Sequence, residues 1–93
     1  MTGIFAAIDL GASSGRIVAG VFEGGDLHLT EVARFKNGPV EVGAELHWDF
    51  ERVYTSILEG LVRLGEFAEA RGERVVSIGI DTWAVDYGLI GAD

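Results

Sequence analysis

Asp9-Leu10-Gly11-Ala12-Ser13-Ser14-Gly15-Arg16 stands between two apolar runs, Ile4-Phe5-Ala6-Ala7-Ile8 and Ile17-Val18-Ala19-Gly20-Val21-Phe22. Such β-branched, apolar runs are the pattern of strands covered on both faces. The eight residues between them therefore read as a loop joining two buried, neighbouring strands. Its glycines permit positive φ and close approach of a ligand to the backbone, and its serine hydroxyls and successive N–H groups can form an anion-binding concavity. Asp9, an acceptor at the end of the first strand, can face a hard cation such as Mg2+ directly or through water. Arg16 supplies the matching positive charge. This is chemistry suited to phosphate.

The loop is neither of the two common phosphate motifs. No Gly-Lys-Ser/Thr follows it, and its glycine spacing does not give Gly-x-Gly-x-x-Gly. A tight Gly/Ser turn with a solvated aspartate is the plain alternative, so the remainder of the chain has to decide.

Ninety-three residues make at most one small domain, able to bury about 60–65% of its unfolded surface. A hydrophobic content of 48% with a single proline argues for a packed chain. Seven basic residues against fifteen acidic ones leave a net charge of −8, which opposes non-specific binding to nucleic acid or anionic membranes. The absence of cysteine excludes a disulfide framework and a thiolate metal site, and agrees with a cytoplasmic setting. The apolar start, interrupted at Asp9, fits neither a signal peptide nor a membrane span.

Beyond the second strand, Glu23-Gly24-Gly25-Asp26 reads as a hairpin turn, and Leu27 to Phe35 resumes with period-two alternation. The alternation places Leu27, Leu29, Glu31, Ala33 and Phe35 on one face of a third, antiparallel edge strand, with His28 directed outward. Asn37-Gly38-Pro39 is a turn signal, and Val40 to His47 is expected to be a connecting loop. Asp49 is a good N-cap, with Trp48 before it placed to staple onto Val53. Phe50, Val53, Tyr54, Ile57, Leu58, Leu61, Leu64 and Ala68 form one helical stripe. Gly60 and Gly65 weaken that helix by about 1 kcal/mol each relative to alanine, through close packing on the sheet or as tolerated weakness. Gly72 stops the helix, with Arg71 near its negative end, so the span is about Asp49 to Arg71.

Val75-Val76-Ser77-Ile78-Gly79-Ile80 then reads as a fourth buried strand. A crossover helix leads into it, so it should lie parallel to strand one and give the sheet order 3-2-1-4. Asp81 would then end strand four beside Asp9, at the carboxyl end of the strands where ligands bind such sheets. Trp83 serves equally as core filling or as a pocket wall. Tyr87 to Ile90 could begin a fifth strand, so the chain is expected to be the beginning of a longer protein.

Three antiparallel strands, a crossover helix and a parallel fourth strand, with this loop after strand one, resemble the opening of the ribonuclease-H-like, actin-like ATPase fold. The likeness is close at Ala7 to Arg16, Arg34-Phe35-Lys36-Asn37-Gly38, Leu46-His47-Trp48-Asp49 and Ser77 to Tyr87. There the sequence is similar to the FGGY family of carbohydrate kinases, as an incomplete N-terminal part (residues 1–93) of the first kinase domain. The resemblance implies transfer of the γ-phosphoryl group of ATP to a ketose hydroxyl, with Ala12, Ser13, Ser14, Gly15 and Arg16 near the ATP phosphates and Asp9 near magnesium. It implies that residue 84 contacts the sugar; Ala84 stands where glycine is usual, and its methyl narrows the pocket. Trp83, Asp81 and Asp86 would shape that pocket and hydrogen-bond the sugar. The catalytic base and adenosine pocket are expected later in the chain, so none of these 93 residues is assigned catalysis and the piece alone is expected to be inactive.

The implied partners are ATP and a small sugar, with no nucleic acid and no membrane. Unfinished sheet edges would let the piece self-associate. Three other readings are a different pentulose or hexulose kinase of the same FGGY family, a non-catalytic sugar or nucleotide sensor of the same fold, and a hydrolase using Asp81 and Asp86, which would leave the Gly/Ser loop without a role.

Overall fold

Residues Gly3–Leu10 form β1, Ser14–Glu23 β2 and Asp26–Lys36 β3. They pair as a continuous antiparallel meander. The computed structural model describes residues 3–84 and 87–92. A short hairpin follows, β4 (Pro39–Val42) and β5 (Glu45–Trp48), then helix α1 (Phe50–Arg71) and strand β6 (Arg74–Asp81). β6 adds to β1 in parallel, giving a mixed α/β architecture with the sheet order β3-β2-β1-β6. The expected order and directions are therefore present, the fourth strand being sixth in the chain because the hairpin intervenes.

α1 begins where its cap chemistry dictates. The Asp49 side chain accepts from the Arg52 N–H at 3.1 Å, satisfying a donor that has no partner within the first turn. At the other end Gly72 takes the left-handed conformation, φ 66°. The Gly72 and Glu73 N–H groups donate to Glu69 and Ala68, both at 3.0 Å, closing the helix in the manner of a glycine C-cap. Arg71 ties this end to the sheet: its guanidinium donates to Glu73 at 2.6 Å and to Glu23 at the end of β2, and it lies 5.7 Å from the Phe67 ring centroid. The hydrogen bonds to Glu73 and then Glu23 raise its pKa above the ordinary arginine value.

The core lies between α1 and one face of β1 and β2. Ile4, Ala6, Ala19, Val21, Leu64 and Ala68 form its cluster, with Ile17 fully buried nearby. Gly60 is the point of closest approach, since a Cβ there would overlap Ile17 and lie 3.3 Å from Ala33. Gly65 has no such neighbour within 4 Å. Of the two explanations open for the helix glycines, close packing holds for Gly60 and tolerated weakness for Gly65.

Five expectations change. The described residues cover β1 and β2 on one face only: Phe5 and Phe22 project from the other and meet edge-on, ring centroids 5.8 Å apart. An uninterrupted apolar run does not say whether a second layer is present. The strand expected over Val75 to Ile80 forms but is exposed, Ile78 at 52% and Ile80 at 64%, because α1 packs mainly over β2 and β3. In β3 a register shift after Ile17/Ala33 inserts Val32, so Leu27, Leu29 and Glu31 share one face while Ala33 and Phe35 take the other. The bulge turns Val32 toward the core it packs against. Val40 to His47 is no plain loop but most of the β4–β5 hairpin, reversed at Gly43 with φ 64°. Its apolar residues do not line up across the pair, Val42 facing Glu45 and Glu41 facing Leu46, which hid it. Finally, residues 87–90 adopt no strand.

The Cα radius of gyration is 15.8 Å, against about 12 Å for a compact domain of this length. One helix covers one sheet face and part of its width, and the described residues provide no second layer.

Candidate functional site

At the carboxyl end of β1 the eight-residue loop is mostly strand. Asp9 pairs in register with Arg16 and Leu10 with Gly15, so the turn proper is residues 11–13. Gly11 N–H donates to the Ser14 carbonyl at 2.8 Å, closing it. Neither Gly11 nor Gly15 has positive φ, contrary to the conformational role expected of them. They are required for space. A Cβ on Gly11 would lie 3.0 Å from the Ser14 carbonyl oxygen, and one on Gly15 would overlap the Phe35 ring.

Asn37, at the end of β3, holds the turn from the side. Its side-chain amide donates to the Gly11 carbonyl at 2.8 Å, and its backbone N–H donates to the Ser13 carbonyl at 3.1 Å. The three bonds around residues 11–14 leave Ala12 and Ser13 exposed at a fixed tip, a preorganised backbone surface of the kind that binds anions. Sequence reading took Asn37-Gly38-Pro39 for a turn signal and missed the clamp. The signal available was an asparagine, able to donate and accept at once, directly after a strand that pairs with the loop.

Two cavities flank this turn, and Gly11 lines both. The first is charged, lined by Asp9, Gly11, Ser14, Arg16 and Arg34. Arg16 Nε donates to Asp9 Oδ2 at 3.0 Å, both groups about half exposed. Such an exposed pair contributes only about 0–1 kcal/mol of stability, so both groups can exchange partners cheaply.

The second cavity is apolar, about 320 Å3, with walls from Leu10, Trp48, Phe50, Ile80 and Trp83 and polar groups from Asn37, Asp81 and Thr82. Trp48 and Trp83 meet edge-on at 6.2 Å and 87°, a favoured aromatic geometry. Trp48 and Val53 line this same space. Trp83 is half-exposed, a wall rather than core filling.

Of the residues singled out in the sequence, Asp9, Ser14 and Arg16 line the charged cavity, and Asp81 and Trp83 the apolar one. Ala12, Ser13 and Gly15 complete the turn and its flank. Ala84 is exposed in a turn beside Trp83, next to the cavity rather than among its lining residues. Asp86 lies outside the described residues. Asp9 and Asp81 are register partners on adjacent strands, as expected, yet they line different cavities. Among the described residues no cluster of three or more His, Cys, Asp or Glu side chains could hold a metal alone, and no helix is long and apolar enough to cross a membrane.

Comparison with curated proteins relates this chain to rhamnulokinases along nearly its whole length. A rhamnulokinase of Bacteroides thetaiotaomicron is 47% identical over 89 residues, covering 96% of this chain and 18% of the relative. Those of Oceanobacillus iheyensis and Bacillus subtilis are 44% and 41% identical, covering 90% and 94% of this chain and 17% of each relative. The chain thus spans less than one fifth of the length of these relatives. No protein-family model matches it.

Proposed function

We propose that this chain supplies the phosphate-binding turn and part of the sugar pocket of an ATP-dependent ketose kinase, with L-rhamnulose as the acceptor and L-rhamnulose 1-phosphate as the product. The observation that carries this reading is the placement of a charged and an apolar cavity on the two sides of one clamped turn, with Gly11 in the lining of both. A kinase must hold a polyanion and a sugar so that the terminal phosphorus lies against a hydroxyl, and its catalysis is almost entirely positioning and charge stabilisation. The relation to rhamnulokinases supports the choice of acceptor.

In this mechanism the tip at Ala12 and Ser13, together with Ser14, Gly15 and Arg16, holds the β- and γ-phosphates. Arg16 spreads positive charge over the oxygens that gain negative charge as the sugar oxygen bonds to phosphorus and the ADP oxygen leaves. Magnesium fits the donors present: such an ion takes one or two protein carboxylates and fills its shell with phosphate oxygens and water, and Asp9 is the carboxylate at the phosphate side. When bound, the metal neutralises phosphate charge. On the sugar side, Asp81 and Trp83 shape the apolar cavity and Ala84 contacts the sugar, while Asp81 and Asp86 are assigned its hydrogen bonds. The proton of the attacking hydroxyl goes to a base outside these 93 residues.

The fold that accompanies this reading is the ribonuclease-H-like, actin-like core, of which the chain forms the N-terminal part of the first kinase domain, working in the cytoplasm. Taken alone, the piece is inactive and pairs with itself through the uncovered edges of β3 and β6, where unpaired backbone groups can template another copy. Sedimentation of the isolated chain at rising concentration is expected to show association; a strictly monomeric species would contradict that part. The decisive assay for the function is ATP-dependent phosphorylation of a panel of ketoses by the full-length protein. Rhamnulose is expected to be the best acceptor, and no turnover of any ketose would overturn the reading.

A further inference from the structure

The candidate site uses one arginine of β2, and the structure places a second beside it. Arg34 of β3 is the register partner of Arg16, and Lys36 is the partner of Ser14. Two of the chain's seven basic residues thus stand opposite each other and line one cavity, although the chain carries a net charge of −8. Like charges directly opposite on paired strands are destabilising, so an arrangement that brings them together calls for a function or a counter-charge.

Counter-charges are present but engage only part of each group. Among the described residues, Asp9 takes Arg16 through Nε, and Glu31 takes Arg34 through Nε at 2.7 Å. A guanidinium carries five donors in a rigid fork, and in each pair the described contact leaves the terminal nitrogens for another acceptor. Arg34 Nη1 approaches the Ser14 hydroxyl at 3.5 Å, and Arg34 lines the same cavity as Gly11, Ser14 and Arg16. The bulge at Val32 matters here. It shifts the β3 alternation by one residue, which brings Arg34 to the Arg16 face instead of the helix face.

We propose that Arg34 is a second phosphate-binding residue of this cavity, held in position by Glu31 and acting with Arg16 on the polyphosphate chain of the nucleotide. The proposal rests on the kinase reading for its ligand, and goes beyond it in assigning a residue outside the loop. Paired guanidiniums suit a polyphosphate because each fork can take oxygens of a different phosphate, with charge-assisted bonds roughly twice as strong as neutral ones.

The test uses the full-length protein and binding of inorganic tripolyphosphate, measured calorimetrically without sugar. Arg34→Gln is expected to weaken binding about tenfold, the scale of one charge-assisted hydrogen bond, and Arg34→Lys to restore part of it. In the kinase assay the same Arg34→Gln change should raise KM for ATP about as much, with KM for the sugar within about twofold. Arg63→Gln, an equal loss of charge on the exposed side of α1, should leave tripolyphosphate binding unchanged. Wild-type affinity in a folded Arg34→Gln protein, or equal weakening by Arg63→Gln, would overturn the proposal. Arg34-dependent binding in a protein that phosphorylates no ketose would uphold it and overturn the sugar-kinase reading alone.

Discussion

Under α1, Ile4, Ala6, Ile8, Ile17, Ala19 and Val21 are each at most 6% exposed, whereas on the opposite face Phe5, Phe22, Leu27 and Leu29 stand 40–66% exposed. The two sets sit on adjoining strands of one sheet, the buried one on β1 and β2 and the exposed one on β1, β2 and β3, and both are apolar. What separates them is the position of one helix. A hydrophobic side chain stabilises in proportion to the area it loses to water, about 25 cal/mol per Å2, and only the covered face offers a layer to lose it against. The open face also changes character along its length, from the Phe5–Phe22 pair at one end to Asp9, Arg16, Glu31, Arg34 and Lys36 at the other. The open face thus gathers its charge at the end where Asp9, Arg16 and Arg34 line the charged cavity.

The sharpest way to break this comparison is to cut one side chain from each face. Ile17→Ala, at a fully buried position, is expected to destabilise the protein by about 2–5 kcal/mol, and Phe22→Ala by less than about 1 kcal/mol. Denaturant midpoints would check both, and equal losses would show that the open face is covered in solution. Arg16→Ala tests the other end of the open face: stability should hardly change, since an exposed ion pair contributes about 0–1 kcal/mol. Turnover of the full-length protein should nevertheless fall by about 10²-fold, the scale of a removed transition-state donor, with KM for the sugar within about twofold. Lost sugar affinity at unchanged turnover would place Arg16 elsewhere.

The two helix glycines sharpen the comparison within a single element. Gly60→Ala gains about 1 kcal/mol of helix propensity but forces a methyl into Ile17 and toward Ala33, and overpacking costs about 1–3 kcal/mol. The expected net effect is a loss of up to about 2 kcal/mol. Gly65→Ala meets nothing within 4 Å and should stabilise by about 0.5–1 kcal/mol. Thermal melts of the two variants should therefore move in opposite directions, and a shared direction would show that α1 does not pack on β2 through Gly60.

Much of this was legible before any coordinates. The turn chemistry of Glu23 to Asp26, the Asp49 cap, the Gly72 stop and the spacing of Leu61, Leu64 and Ala68 are local signals, and β1, β2, β3, α1 and β6 formed within a few residues of their expected bounds, whereas β4 and β5 lie where a loop was expected. The strand order followed because two hairpins and one crossover leave few ways to build a sheet. Asp9 beside Asp81 followed from that order.

What the sequence by itself determined, then, is whatever depends on neighbours along the chain: which residues turn, cap, alternate or repeat every third and fourth position. Only the tertiary structure decided that Gly11 and Gly15 serve by leaving space, that Val32 bulges, that Asn37 grips the turn and that Arg34 reaches the face of Arg16. In each case the deciding contact joins residues far apart in sequence: Gly15 with Phe35, Val32 with the helix-side core, Asn37 with Gly11, Arg34 with Ser14. Local pattern carries no information about such distances until the register between strands is set, and a single inserted residue in β3 is enough to change which side chains share a face.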